Sequence, residues 1–203
     1  MNNKKMFLKK LLFSFFSLTL LFFLNSVSAK HHESGEKINP SWMVVDSGNK
    51  LVTFTLTSAY NGNNGSWNYN GFYNGSANLV VPQGWNVNIK FVNPDGNYRH
   101  SVAVIKMFDP NSIPQEADEQ LVAIARGYSI GPAQGCLACN EDVKFKAKNR
   151  DDYTIGKYSV FCGVPGHGAS GMWLGFSVKD GIDGPFVLFN KSAMDEGYAK
   201  PLL

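Results

Sequence analysis

Leu51 to Thr57 alternates without a fault: Val52, Phe54 and Leu56 fall on one side of an extended chain, and Leu51, Thr53, Thr55 and Thr57 on the other. A period of two marks a half-buried β-strand, because successive side chains point to opposite faces of a sheet. Comparable short runs follow at Ala77–Val81, Val87–Val92, Ser101–Lys106, Val143–Ala147, Gly156–Phe161 and Trp173–Val178. Each is rich in β-branched or aromatic residues and bounded by Gly, Pro, Asn or Asp. Many short, punctuated strands predict an all-β sandwich or barrel. Two stretches depart from a minimal sandwich. Asn61 to Gly75 is crowded with Asn, Gly and the rings of Trp67, Tyr69, Phe72 and Tyr73, and is expected to be a loop packed by its own rings. Met107 to Cys139 is a long insertion, within which Pro114 to Gly127 has a Pro start, early acids and an Arg-Gly end, the pattern of a short helix.

The N-terminal segment concerns destination, not fold. Lys4, Lys5, Lys9 and Lys10 precede the apolar run Leu11 to Leu24, and Val27-Ser28-Ala29 supplies small residues before Lys30. That is the pattern of a secretory signal peptide over residues 1–29, cut after Ala29. The expected product is exported, periplasmic or extracellular. The alternative is a membrane anchor formed by an uncleaved segment, but the apolar run is short against the about 20 residues a span needs. Taking the four leader lysines from the 19 basic residues leaves one fewer than the 16 acidic ones, so the formal charge of +3 becomes −1. The apparent basicity belongs to targeting and gives no reason to invoke nucleic acid. Residues 30–40, with His31 and His32, are expected to be a flexible N-terminus, and the remaining length suits one domain over residues 41–180 with a tail over 181–203.

Chemistry concentrates in Phe161-Cys162-Gly163-Val164-Pro165-Gly166-His167-Gly168-Ala169-Ser170-Gly171-Met172-Trp173. Taken singly, a buried Cys is usually a small hydrophobe, a Met core filler, and a His on an apolar strand a satisfied core residue. Taken together, Cys-x₄-His-x₄-Met sets a thiolate, an imidazole and a thioether in one glycine-rich loop that brings no competing charge. A trigonal His₂Cys set with a weak axial Met suits the copper(I)/copper(II) couple. His100, at the start of an apolar strand, supplies the second imidazole. The expected cofactor is one copper ion held by His100, Cys162, His167 and Met172. Ser101, beside His100, is placed to hydrogen-bond across to the Cys162 loop, or else is an ordinary strand hydroxyl; Phe161 and Trp173 are expected to wall the site against solvent.

Cys136-Leu137-Ala138-Cys139 reads by compartment. In the cytosol it would suggest a dithiol redox motif; outside it, a small disulfide is expected, leaving Cys162 free as a copper thiolate must be. A regulatory or copper-delivery role for this pair stays open.

The segments Trp67-Asn68-Tyr69-Asn70-Gly71-Phe72, Leu79 to Val87, His100-Ser101 and Phe161 to Trp173 resemble the sulfocyanins and, less closely, the rusticyanins, both blue copper proteins of the cupredoxin fold. The resemblance covers about Ser41 to Lys179. It implies a Greek-key β-sandwich with copper at one end and a role in carrying single electrons between redox proteins such as cytochromes or terminal oxidase and reductase components. Contact is expected to be transient, through an apolar patch of Val164, Pro165 and Ala169 around His167, with peripheral membrane association or none after cleavage. No substrate-turnover site is expected. A multicopper enzyme needs further His-x-His pairs, and a metal-free module would leave Cys162 as an odd cysteine in an oxidising compartment. A copper-delivery or storage protein is the remaining alternative and favours exposed, exchangeable ligands.

Overall fold

The computed structural model describes residues 35–117, 135–147, 156–191 and 199–203. Among these residues ten strands follow in chain order: β1 (Glu36–Ile38), β2 (Met43–Asp46), β3 (Leu51–Thr57), β4 (Ala77–Pro82), β5 (Asn86–Asn93), β6 (Ala103–Lys106), β7 (Cys139–Lys146), β8 (Lys157–Phe161), β9 (Trp173–Lys179) and β10 (Phe186–Phe189). They form a six-stranded sheet, β1-β10-β4-β9-β8-β6, and a four-stranded sheet, β2-β3-β5-β7. From β3 to β8 successive strands change sheet. After β3 the chain crosses to lay down β4 and returns for β5, so β3 and β5 become parallel neighbours, as do β4 and β9. This is the expected all-β sandwich.

The core lies where the two patterned faces meet. Val52, Phe54 and Leu56 of β3 are fully buried beside Val87, Ile89 and Phe91 of β5, and they face Leu79, Val81, Leu174 and Phe176 from the opposite sheet. β4 and β9 have strands on both sides, and five of the six β4 residues are buried, as a central strand covered on both faces requires.

Segments on either side of the expected domain are recruited. β1 arises within the expected flexible segment 30–40, and β10 within the expected 181–203 tail; β10 pairs with β4 on one side and β1 on the other. The reason is local. Phe186-Val187-Leu188-Phe189 is apolar, β4 would otherwise present an open edge, and Val187 buries fully by closing it. The leader, residues 1–29, lies outside the described residues, as does residues 118–134, where most of the expected helix from Pro114 to Gly127 falls. No helix among the described residues is long and apolar enough to cross a membrane.

The Asn/Gly segment is held differently from expectation. Its rings enter the main core: Phe72 packs on Trp42 and Phe189, and Tyr69 on Phe91. What shapes the backbone is asparagine. Asn70 bonds both the N–H of Thr57 and the C=O of Thr55, capping the end of β3, while Asn68 and Asn63 donate to carbonyls inside the loop. Asn64, Asn70 and Asn74 take positive φ of 52°, 53° and 48°, a region Asn tolerates better than other residues with a Cβ.

Alternation on β3 predicts unequal costs for adjacent truncations. Leu56→Ala should destabilise the fold by about 2–5 kcal/mol, whereas Thr55→Ala on the opposite face should stay within about 0.5 kcal/mol, both read from denaturant unfolding.

Candidate metal centre

β8 and β9 form an antiparallel hairpin whose last strand pair is Phe161 opposite Trp173. One rung further, the N–H of Cys162 donates to the C=O of Met172 at 3.1 Å, so these two face each other at the mouth of the hairpin. The pleat then decides where each side chain goes. Cys162 and Met172 point into the main core and are fully buried. Phe161 and Trp173 point to the outer face and join Ala103, Ile105 and Ala117 in a second cluster beneath Met107, Phe108 and Ile113.

Residues 163–171 are the hairpin loop and carry His167. Its N–H donates to Val164 C=O, and its C=O accepts from Met172 N–H, both at 3.1 Å, which turns the ring back over Cys162. His167 Nδ1 lies 3.6 Å from Cys162 Sγ. His100 arrives from the segment that leads into the neighbouring β6, three residues before Ala103 pairs with Phe161. The ligand-type atoms of His100, Cys162 and His167 all lie within 4.8 Å of one another. Residues far apart in sequence thus converge at one end of the sandwich.

Ser101 ties the two segments together. Its N–H points to Cys162 Sγ at 3.4 Å, its hydroxyl accepts from Gly163 N–H at 2.8 Å, and its C=O accepts from the Tyr69 hydroxyl at 2.6 Å. The expected cross-link is present, and Tyr69 adds a second support.

The electrostatics of these groups fit a soft cation. Burial pushes the Cys162 thiol up, opposed by the N–H groups of Ser101 and Val164. A thiolate at this depth therefore needs a positive partner. Burial lowers His100, and Asp95 pulls the other way; burial and then the neighbouring His100 bring His167 down to about 4. Both imidazoles are neutral at neutral pH. His100 Nδ1 is buried with no hydrogen-bond partner among the described residues. A buried nitrogen rarely stays unsatisfied, and here it belongs to a cluster of two neutral imidazoles and a thiol. That donor set is the one copper prefers.

Phe161 and Trp173 take a different place from the one expected. They lie on the far face of the sheet from Cys162, because adjacent residues of a strand cannot share a face. They still bear on the loop. A Cβ at Gly168 would fall 1.9 Å from the Phe161 ring, and one at Gly75 would fall 2.5 Å from Trp173, so each ring supports a turn from behind. Cys136 and Cys139 form a disulfide and Cys162 is free, as expected.

Trp67 was not legible as a site residue. Its ring centroid is 4.1 Å from that of His167 and 5.8 Å from that of His100. Asn64 draws the loop in, donating from Nδ2 to Ser170 C=O at 2.8 Å and to Trp67 C=O at 3.0 Å.

A family profile described as the sulfocyanin (SoxE) domain matches residues 40–189. The sulfocyanin of Sulfolobus acidocaldarius is 26% identical over 150 residues, which is 71% of each chain. Among solved structures, the blue copper protein auracyanin A of Chloroflexus aurantiacus superposes with a TM-score of 0.43 at 20% identity, over 64% of this chain and 99% of its own. The rusticyanin of Thiobacillus ferrooxidans gives 0.42 at 18% identity, over 68% and 86%.

The depressed histidine sets a pH dependence for the metal-free protein. Between the ordinary value of 6.5 and about 4, the unfolded chain binds a proton at His167 that the folded chain refuses. Stability is therefore full above that window and falls as pH drops through it. Melting temperatures of the apoprotein should decline across the window, and His167→Gln should flatten the decline.

Proposed function

This chain belongs to the sulfocyanin family of blue copper proteins, and from that premise we propose that His100, Cys162, His167 and Met172 hold one copper ion through which the protein passes single electrons between redox partners. The family binds one copper and carries electrons, with no substrate turned over. The observation that carries the assignment to these residues is the buried Nδ1 of His100, which has no hydrogen-bond partner among the described residues, beside Cys162 and His167.

When bound, copper supplies the one-electron couple. The chain supplies a fixed and dry setting for it. Ser101 N–H and the Val164 backbone favour the sulfur as thiolate, and the ladder bond between Cys162 and Met172 holds the two sulfur residues opposite each other. Full burial of Cys162 and Met172 excludes water and limits rearrangement when charge changes. It also favours a carrier over a copper-delivery protein, whose ligands need access for exchange.

His167 is the ligand nearest the surface, being half-buried where the other two of its cluster are buried. Half-buried Val164 and exposed Pro165 stand beside it. A small apolar surface there suits brief docking of redox proteins, with Trp67 packed on the His167 ring as part of the same surface. Export follows from the leader pattern of residues 1–29, and the copper domain read over residues 41–180 extends to take in β1 and β10.

The purified holoprotein should hold one copper and absorb strongly in the visible through thiolate-to-copper charge transfer. Cys162→Ser should abolish that band and one-electron exchange while the apoprotein fold persists; survival of both would remove the assignment. Met172→Leu should keep the copper and raise the potential, because one donor fewer stabilises the dication less. Potentiometric titration of the visible band reads Met172→Leu, and the visible spectrum with a one-electron exchange assay reads Cys162→Ser.

A further inference from the structure

We propose that the disulfide-bridged turn Cys136–Cys139 is the positioning element for His100. The inference rests on His100 being a copper ligand. His100 belongs to no strand, and its backbone is held by an isolated antiparallel bridge to Cys136: His100 N–H donates to Cys136 C=O at 3.2 Å, and Cys136 N–H to His100 C=O at 2.9 Å. The turn is in turn fixed to β5. Asn93 Nδ2 donates to Cys136 C=O at 2.6 Å, Ala138 N–H donates to Asp95 C=O at 2.9 Å, and Cys139 is the register partner of Asn93.

The preceding glycine sets how close the turn comes to the metal centre. A Cβ at Gly135 would lie 2.6 Å from His100 O and 2.9 Å from Val164 Cγ2, so residue 135 wedges between the His100 backbone and the Cys162–His167 loop. Two residues past Cys136, Ala138 sits at φ 42°, a conformation that an L side chain avoids unless something holds it. The covalent link between Cys136 and Cys139 spans that residue. Closing so short a ring adds little through loop entropy, which leaves local placement of the Cys136 peptide as its effect. The peptide so placed orients the backbone of a ligand from behind, the role that outer partners play at metal sites.

The test compares wild-type holoprotein with C136S/C139S, and with Leu137→Ala, which alters the exposed tip of the same turn and keeps the bridge. Three quantities are read: the rate at which a strong copper(I) chelator removes the metal, the copper hyperfine splitting in the oxidised protein, and the melting temperature of the apoprotein. The double variant should lose copper roughly 10- to 100-fold faster, the range for outer-partner mutations at metal sites. Its hyperfine splitting should change, while Leu137→Ala stays at wild type. An unchanged chelation rate and splitting alongside a lowered apoprotein melting temperature would reduce the bridge to a structural staple and overturn the proposal. If the double variant does not fold, Asn93→Ala, which removes the 2.6 Å bond to Cys136 and keeps the bridge, decides in the same way. Wild-type protein that takes up no copper would instead refute the ligand assignment itself.

Discussion

Three hydrogen bonds around Ser101 hold the candidate centre together. Its N–H reaches Cys162 Sγ, its hydroxyl receives Gly163 N–H, and its carbonyl receives the Tyr69 hydroxyl. A sulfur this deeply buried resists ionising, and polar groups aimed at it are what make a buried charge tolerable. The same contacts lock the segment that carries His100 to the hairpin that carries Cys162, His167 and Met172. Tyr69 comes from the Asn-rich segment, so a third region of the chain is bound into the same unit.

The sandwich serves this junction through strand parity. Placing Cys162 and Met172 inward forces Phe161 and Trp173 outward, which creates a second apolar surface on the outer face of the sheet. An outer face of aromatic side chains needs a cover. The first part of the insertion supplies it: Phe108 packs edge-on against both rings, and Gln115 C=O accepts the N–H of Gly166 within the ligand loop. The insertion therefore follows from the same geometry that positions Cys162 and Met172. Its far end returns as Cys136, on the other side of His100.

Much of this was legible in the sequence, and the misses have physical causes. β3 ends where its alternation ends, because one face is buried and the other half-exposed along its whole length. β7 extends back from the expected Val143 to Cys139; Asn140, Glu141 and Asp142 are exposed on an edge strand and give no apolar signal. β6 starts at Ala103 and not at Ser101, since Ser101 bonds across to the ligand loop. β1 and β2 are short and mostly exposed, so nothing in their composition separates them from loop. At the site, His100, Cys162 and His167 stood out because their chemistry is scarce in this chain. The facing of Phe161 was readable from its adjacency to Cys162. Trp67 was not readable, because its approach depends on asparagines at positive φ that fold a distant loop over His167.

We propose that a single copper sits among His100, Cys162 and His167, with Met172 beside it. The most direct measurement is anomalous diffraction at the copper absorption edge from crystals of the oxidised and reduced holoprotein. One peak within bonding distance of both imidazole nitrogens and the Cys162 sulfur, unmoved on reduction, is the expected result. A peak elsewhere, or none in crystals of protein saturated with copper, would contradict it.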